Sequence, residues 1–343
     1  MDLKGLRLDK WFLELEGTHS LSLFPHGENY FNKYKNYSEQ LFKWVHPEVA
    51  AGSGNADKSL LTNHGNDHIY TVITRATQLV SDNDYCELSP FEVYVLLMVI
   101  HVHDVGNIKG RDNHEFNNQE IIDYLGSGVV NQETWVWDYI FEIAKAHKGY
   151  QIETLANEDY LHEIPIRPQF LAALLKFADE LAENFSRASN ILIKLDEVPD
   201  ENKLFHVFAS TINSILPRPQ TREILMLFNI REDQLIEEYL SDGEKVFLVD
   251  EIYSRTLKTH SERVYCMKFL RPQVNFDSIK VTLNIKLTSG VKVQFGYELA
   301  EQVVTNVTLE EVLKLCPNLK DKCGVEIKAK VEEDKLKEHI DGN

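Results

Sequence analysis

Apolar residues recur at helical spacing through the first half of the chain. Between Ile69 and Val80 they fall at positions i, i+3, i+4 and i+7, which predicts an amphipathic helix. The next segment, FEVYVLLMVIHVHDV, is apolar almost throughout, with Ser89 as its N-cap and Gly106 as its end. Because a helix that is apolar on every face needs neighbours on every side, this segment is predicted to be the centre of a helical bundle.

Three further helices are predicted around this central helix. They cover HEFNNQEIIDYLG, QETWVWDYIFEIAKAHKG with Asn131 as its cap, and FLAALLKFADELAENFSRAS. We therefore predict a compact helical bundle over residues 60–195. Residues 1–59 are predicted to be a helical N-terminal extension, with a small polar loop at residues 50–59.

The pattern changes after about residue 195, and residues 200–343 are predicted to form a smaller α+β region. Helical periodicity continues through QLIEEYLSDGEKVFLVDEIYSRTLKTH, whereas IKVTLNIKLTSGVKVQFGYEL alternates around Ser-Gly like a β-hairpin, and GVEIKAKVEE reads as a last strand. The predicted fold class is thus mainly α, a helical bundle followed by this smaller region. Residues 200–343 could cover a pocket, determine which substrate is bound or mediate homo-oligomers, and the sequence does not decide among these roles.

The net charge of the chain limits the classes of partner that it is expected to bind. A formal net charge of −18 argues against general binding to nucleic-acid backbone, which requires a basic surface. A small anionic substrate is still compatible with this charge, because a metal ion and a few local cations can reverse the potential inside a pocket.

The location of the protein is predicted from its cysteines and its apolar runs. The 4 cysteines form no CxxC pair and are expected to be free thiols in a reducing cytoplasm. The N-terminal sequence has no continuous apolar core like that of a secretory signal, and no run has the apolar length of a membrane span. We therefore expect a cytoplasmic protein without a membrane partner.

Side chains that can bind a metal fall at predicted helix ends or beside buried helix faces, where a bundle can point them inward. In chain order they are His64, His68, His103, Asp104, His114, His147 and Asp179. His64 competes with His68 as a ligand, and Asp179 could instead pair with Lys176 one turn earlier. His101 lies about 200° around the helix from His103 and is predicted to be structural.

The residue types indicate a metal-assisted reaction at phosphorus. Neutral imidazole suits first-row divalent metals, and a carboxylate such as that of Asp104 can bridge two ions. A bound ion lowers the pKa of a water ligand, so hydroxide is available at neutral pH near Asp104. The nearby cations Lys109 and Arg111, and also Arg187, are predicted to hold phosphate groups, an arginine in bidentate fashion.

Four motifs occur in a fixed order within residues 60–190: NHGNDHIYTV, HDVGNIKGRDNHE, AKAHKGY and LLKFADELAENFSRAS. This order resembles the HD superfamily of metal-dependent phosphohydrolases. The resemblance implies that one ion is held by His68, His103, Asp104 and Asp179, and that His114 and His147 add a second ion in members with two metals. The family often has a lysine soon after HDxG, whereas here Asn107 follows Gly106 and Lys109 comes two residues later.

The resemblance implies a phosphohydrolase that acts on a small phosphorylated substrate, a nucleotide or nucleotide-like phosphoester. Two ions favour a phosphodiesterase, and a single ion favours a nucleoside triphosphate hydrolase. The cofactor would be one or two divalent ions of Mn, Fe, Ni, Co, Zn or Mg. The alternative is a non-catalytic module that binds metal or nucleotide and regulates a protein partner.

Overall fold

The computed structural model describes residues 3–55, 65–81, 86–110, 114–125, 134–149, 151–241, 243–300 and 308–341. The chain divides into two compact units. The first unit contains residues 1–182, 217–222 and 265–276, and the second contains residues 183–216, 223–264 and 277–343. The protein is mainly α, with a small mixed sheet in the C-terminal region, which confirms the predicted fold class.

The first unit is built almost entirely of helices. They are α1 (Leu8–Glu14), α2 (Tyr30–Trp44), α3 (His46–Asn55), α4 (Asn66–Val80), α5 (Pro90–Val102), α6 (His114–Leu125), α7 (Thr134–Lys145) and α8 (Pro168–Glu180). A short hairpin of β1 (Asp159–Leu161) and β2 (Ile164–Ile166) precedes α8. The predicted loop at residues 50–59 is wrong up to Asn55, where α3 ends, and its remainder lies outside the described residues.

Helix α5 is the centre of the first unit. It begins with a capping box, in which the Ser89 side chain accepts from the Glu92 backbone and the Glu92 side chain accepts from the Ser89 backbone. Every side chain from Phe91 to Val102 is buried, and α1, α2, α4, α7 and α8 all pack against this helix. The predicted buried central helix is therefore confirmed.

The same apolar composition gives α5 the properties of a candidate membrane span. Among the described residues, one stretch, Pro90–Lys109, is long and apolar enough to cross a bilayer by length and composition. Its most apolar window is 94% buried inside the protein, as expected for a core helix.

Two buried histidines join α3 to α5. His46 Nε2 lies 3.0 Å from His101 Nδ1, and the two rings stack with their centroids 5.3 Å apart. Burial lowers the pKa of His46 well below its usual value and lowers the pKa of His101 to about 3. Both rings are therefore neutral in the folded protein, and His101 has the structural role that the sequence predicted.

This pair should weaken the fold in acid, and His46→Gln should relieve part of the effect. Above pH 6.5 these two histidines are neutral in both the folded and the unfolded protein. Below pH 6.5 they gain protons only in the unfolded chain. Each buried histidine therefore costs about 1.4 kcal/mol of stability per pH unit as the pH falls toward the folded-state pKa. We expect the unfolding free energy of His46→Gln, measured in urea at a series of pH values, to fall less steeply by about this amount.

A histidine on the surface provides the matched control for this measurement. His19 is exposed, so His19→Gln should keep the wild-type pH dependence. If His46→Gln and the wild-type protein lose stability equally between neutral and acidic pH, the pair has no part in acid unfolding.

The second unit combines helices with the sheet. Its elements are α9 (Asn190–Leu195), α10 (Asp200–Thr211), β3 (Ile212–Arg218), β4 (Glu223–Arg231), α11 (Glu232–Ile236), β5 (Glu238–Ser241), β6 (Glu244–Phe247), α12 (Leu248–Leu270), β7 (Ser278–Lys286), β8 (Lys292–Ala300), α13 (Leu309–Leu315) and α14 (Gly324–Asp341). Of these, β3 belongs to this unit up to Leu216 and α12 up to Val264. The sheet order is β3-β4-β7-β8, with β4 parallel to β7 and β7 antiparallel to β8.

The structure confirms one prediction for this unit, a β-hairpin, and corrects two others, one of a helix and one of a strand. Strands β7 and β8 form the predicted hairpin around Ser-Gly. The first part of QLIEEYLSDGEKVFLVDEIYSRTLKTH is not one continuous helix, because β5 and β6 pair there before α12 begins. GVEIKAKVEE is helical and not a strand: α14 begins at Gly324, whose N–H donates to Asp250 Oδ1 at 3.0 Å.

Candidate metal centre

Histidine and aspartate side chains from several helix ends meet in the first unit. His68 lies in the first turn of α4, His103 caps the end of α5, and Asp104 follows it; His114 begins α6, His147 follows the end of α7, and Asp179 lies in the last turn of α8. The sequence pattern extended α8 to residue 189, but the helix ends at Glu180. Asp179 is therefore at a helix end, like the others.

The first ligand group consists of His68, His103 and Asp179, whose ligand atoms lie within 4.8 Å of one another. Asp179 Oδ1 is 3.1 Å from His68 Nε2 and 3.6 Å from His103 Nε2. The two histidine side chains are 0% exposed, whereas the Asp179 side chain is 28% exposed. The group is thus closed on the histidine side and open near Asp179.

The second ligand group consists of Asp104, His114 and His147, again with ligand atoms within 4.8 Å of one another. The Nε2 atoms of His114 and His147 are 3.4 Å apart. His114 Nε2 is 3.2 Å from Asp104 Oδ1, and His147 Nε2 is 4.0 Å from the same oxygen. Imidazole nitrogens at these separations point to a common centre.

Asp104 stands between the two groups and presents one oxygen to each. Its Oδ2 lies 3.6 Å from His68 Nε2 and 3.5 Å from His103 Nε2, in the first group. Its Oδ1 faces His114 and His147, in the second group. A carboxylate with this placement can bridge two ions.

Backbone carbonyls fix the tautomers of two of the histidines. His103 Nδ1 donates to the carbonyl oxygen of Ile100 at 2.8 Å, and His147 Nδ1 donates to that of Ala144. Because a carbonyl oxygen can only accept, the proton of each neutral ring is on Nδ1. The Nε2 lone pair of each ring is therefore directed at the ligand group, which is the arrangement a metal-binding histidine needs.

Burial and charge set different pKa values within the site. Burial lowers the pKa of His147 to about 4, so this ring is neutral at pH 7. Burial also acts on His103, but the charges of Asp104 and Asp179 overcome it and raise the pKa of His103 to about 9. Burial alone would raise the pKa of Asp179, yet His103 and His68 hold it well below its usual range. Asp179 is therefore ionised, and an ion that binds His103 takes the place of its proton.

The turn after Asp104 is packed tightly against the start of α6. Residues Val105–Lys109 form a 3₁₀ turn, and a Cβ at Gly106 would lie 1.8 Å from the backbone oxygen of His114. Only glycine allows this approach. The central helix already ends at Val102, so Gly106 does not end it as predicted; this glycine instead allows α6 and His114 to approach the turn.

The side chains predicted to bind phosphate are placed less uniformly. Lys109 Nζ lies 2.6 Å from Glu120 Oε1, and its side chain is 42% exposed. Arg187 belongs to the second unit, is buried and pairs through Nη1 with Glu183 Oε1 at 2.7 Å. Arg111 and the alternative ligand His64 lie outside the described residues. Phosphate binding by Lys109, Arg111 and Arg187 stays a prediction.

Two buried polar side chains near the site were not singled out as site residues by the sequence. Asn118 is one turn after His114 on α6 and contacts the backbone on both sides of Asp104. Lys176 Nζ donates to the carbonyl oxygen of His147 at 2.9 Å. The sequence indicated Lys176 only as a partner of Asp179. For Asn118, its spacing after His114 was the sole local signal of a role at the site.

The donor set fits a divalent metal ion. Imidazole nitrogens and carboxylate oxygens are ligands for ions such as Mn, Fe, Co, Ni and Zn. His103 Nε2 is a buried nitrogen with no hydrogen-bond partner within the described part of the chain, as expected of a metal-ligand atom. The buried His and Asp groups could therefore hold a metal ion, and their number allows two.

Comparison with known proteins adds one match. The family model described as HD-CE matches residues 58–252, which is more than half of the chain and includes every member of both ligand groups. No curated protein and no solved structure matches the chain.

Proposed function

Because the chain belongs to the HD-CE family, we propose that it is a cytoplasmic, metal-dependent phosphohydrolase that cleaves a nucleotide or nucleotide-like phosphoester. One observation carries this proposal: Asp104 presents Oδ2 to the first ligand group and Oδ1 to the second. A carboxylate shared by two histidine groups is the arrangement for two adjacent ions, which suits in-line displacement at phosphorus.

The ligand groups define the roles of the residues. His68, His103 and Asp179 would hold one ion, His114 and His147 would hold the other, and Asp104 would contribute to both. When bound, such ions lower the pKa of water and neutralise charge on phosphoryl oxygens. Asp104 and Asp179 would supply the negative charge that such ions need, while the Nδ1 contacts of His103 and His147 leave Nε2 as the ligand atom of each ring.

Side-chain exposure supports a proposal for the side from which a substrate reaches the site. The side chains of His68 and His103 are 0% exposed, whereas those of Asp179 and His114 are 28% and 12% exposed. We therefore propose that a phosphoester approaches over Asp179 and His114. Lys109 and Arg111 follow Asp104 closely in sequence and are our candidates for phosphate contacts, with Lys109 leaving Glu120 to make them.

The number of ion sites sets the substrate class that we propose. Two ions held by these groups would stabilise charge during displacement at a phosphodiester. We therefore favour a phosphodiesterase over a nucleoside triphosphate hydrolase. The substrate is a small phosphorylated molecule, in keeping with a net charge of −18 that does not favour nucleic-acid backbone.

A substrate screen with metal counting tests the proposal. Metal-free protein is loaded with Mn²⁺, the ions per chain are counted, and cyclic nucleotides, dinucleotides, nucleoside triphosphates and model phosphodiesters are offered. We expect two ions and turnover of a phosphodiester. Bound metal without turnover across the whole panel would reject the enzyme in favour of a binding module that regulates a partner.

Variants of the second ligand group test the two-ion assignment. His114→Ala and His147→Ala each remove an imidazole from one group only, so we expect each to lose one ion and keep the other, with a strong loss of phosphodiester turnover. His162→Ala, at an exposed histidine of the first unit, should leave both ion count and turnover unchanged. An unchanged ion count in His114→Ala and His147→Ala would refute the second site.

A further inference from the structure

Asn118 makes two hydrogen bonds that enclose Asp104. The side chain is only 2% exposed. Its Oδ1 accepts from the backbone N–H of Gly106 at 2.7 Å, and its Nδ2 donates to the backbone carbonyl of His103 at 2.8 Å. These two backbone groups lie on either side of Asp104 in the chain. One buried amide therefore fixes the segment that carries the shared carboxylate.

The same amide ties the two ligand groups together. Asn118 lies on α6, one turn after His114 of the second group, and it binds the backbone of His103 of the first group. Because Gly106 has no side chain, α6 can lie directly against the turn at this point. Asn118 thus links the helix that begins at His114 to the backbone of His103.

Lys176 joins the two groups on another side. It lies on α8, one turn before Asp179 of the first group, and its Nζ donates to the carbonyl oxygen of His147 of the second group. This link does not involve α6. We therefore expect the first unit to fold and to keep its first ion when Asn118 is changed.

We propose that Asn118 is a positioning residue that sets the spacing between the two ion sites, an inference that rests on the two-ion site proposed above. The geometry requires one acceptor and one donor on the same planar group, which an amide supplies. Alanine supplies neither. Aspartate keeps the acceptor for the Gly106 N–H but places an oxygen, which has no hydrogen, against the His103 carbonyl.

Hydrogen exchange and Mn²⁺ titration of Asn118→Ala and Asn118→Asp test this role. In metal-free protein, the Gly106 amide should exchange faster in Asn118→Ala and stay protected in Asn118→Asp. In both variants the Mn²⁺ ion of the second ligand group should bind about 10- to 100-fold more weakly, as is usual when a hydrogen-bond partner outside the ligand shell is lost. The first Mn²⁺ should bind with nearly wild-type affinity. Gln119→Ala, at an exposed neighbour on α6, should change neither measurement.

The outcomes that overturn the proposal are distinct. Wild-type affinity for both ions in Asn118→Ala or Asn118→Asp would show that Asn118 does not set the spacing, even if Gly106 exchanges faster. Equal weakening of both ions would indicate a general loss of structure. If the wild-type protein itself binds only one Mn²⁺, the two-ion site fails, and this titration identifies that failure separately from any effect of Asn118. If Asn118→Ala does not fold, Asn118→Asp decides the question.

Discussion

Asp104→Asn should abolish phosphodiester hydrolysis, lowering kcat by roughly 10³-fold or more, since loss of even one group that stabilises transition-state charge costs about 10²–10³-fold. The amide that replaces the carboxylate has one oxygen and one NH₂ group. Whichever way it lies, the NH₂ faces either the first or the second ligand group and cannot act as a ligand there. We therefore expect one of the two Mn²⁺ ions to be lost as well.

The measurement combines kcat for the best phosphodiester with ions counted per chain. Asp67→Asn is the matched control, because Asp67 is exposed in the first turn of α4, next to His68 in the chain. It should keep wild-type turnover and both ions. An Asp104→Asn protein with wild-type turnover would remove this site from the mechanism, whatever its ion count.

Gly106→Ala should have the second largest effect, on stability and activity together. The added Cβ would lie 1.8 Å from the His114 carbonyl oxygen and 2.6 Å from its carbonyl carbon. Both are backbone atoms, so no side-chain rotation relieves the contact, and α6 has to move away from the turn. Overpacking of this kind costs about 1–3 kcal/mol or more. We expect loss of the second ion and a Tm lower by roughly 5–10 °C.

Gly110→Ala separates this clash from a change in backbone freedom. Gly110 has a φ of +111° and no atom of the described residues within 4 Å of its added Cβ, so alanine there is strained by its conformation. We expect Gly110→Ala to lower the Tm slightly and to keep both ions. A Gly106→Ala protein that binds two ions with the wild-type Tm would show that α6 does not depend on this contact.

The sequence predicted the core of the site because its signals are local. The apolar run of α5 and the Ser89 cap locate the start of one helix, and the pair His103–Asp104 follows its last residue, Val102, a little before the predicted end at Gly106. Helix ends also located His68, His114 and His147 correctly relative to their helices. Such signals need only a few neighbouring residues, which a single sequence provides.

The sequence could not predict contacts between segments that are far apart in the chain. Nothing near Asn118 shows that its amide binds the backbone of His103 and Gly106. The division of the oxygens of Asp104 between two groups likewise depends on how α4, α6, α7 and α8 pack. Hydrophobic periodicity tells which face of a helix is buried, but it does not tell which polar atoms meet behind that face.

The errors in the second unit have the same origin. GVEIKAKVEE alternates apolar and polar residues and was predicted as a strand, but Val325 is 62% exposed while Gly324 and Ile327 are buried, a helical spacing. The start of this helix is set by distant partners: a Cβ at Gly324 would meet Phe247, and its N–H binds Asp250. A short alternating pattern cannot decide between strand and helix when such contacts determine the result.

His103 and Asp104 are consecutive, yet one serves the first group and the other serves both. The remaining ligands each lie on or directly after a different helix. The loops between those helices can therefore change length in evolution without moving a ligand. The turn that contains the pair has no such freedom, since losing a single codon there would displace ligands of both ions together. Related sequences should therefore differ by substitution around the pair His103–Asp104, and by insertion or deletion only in the loops between the other helices.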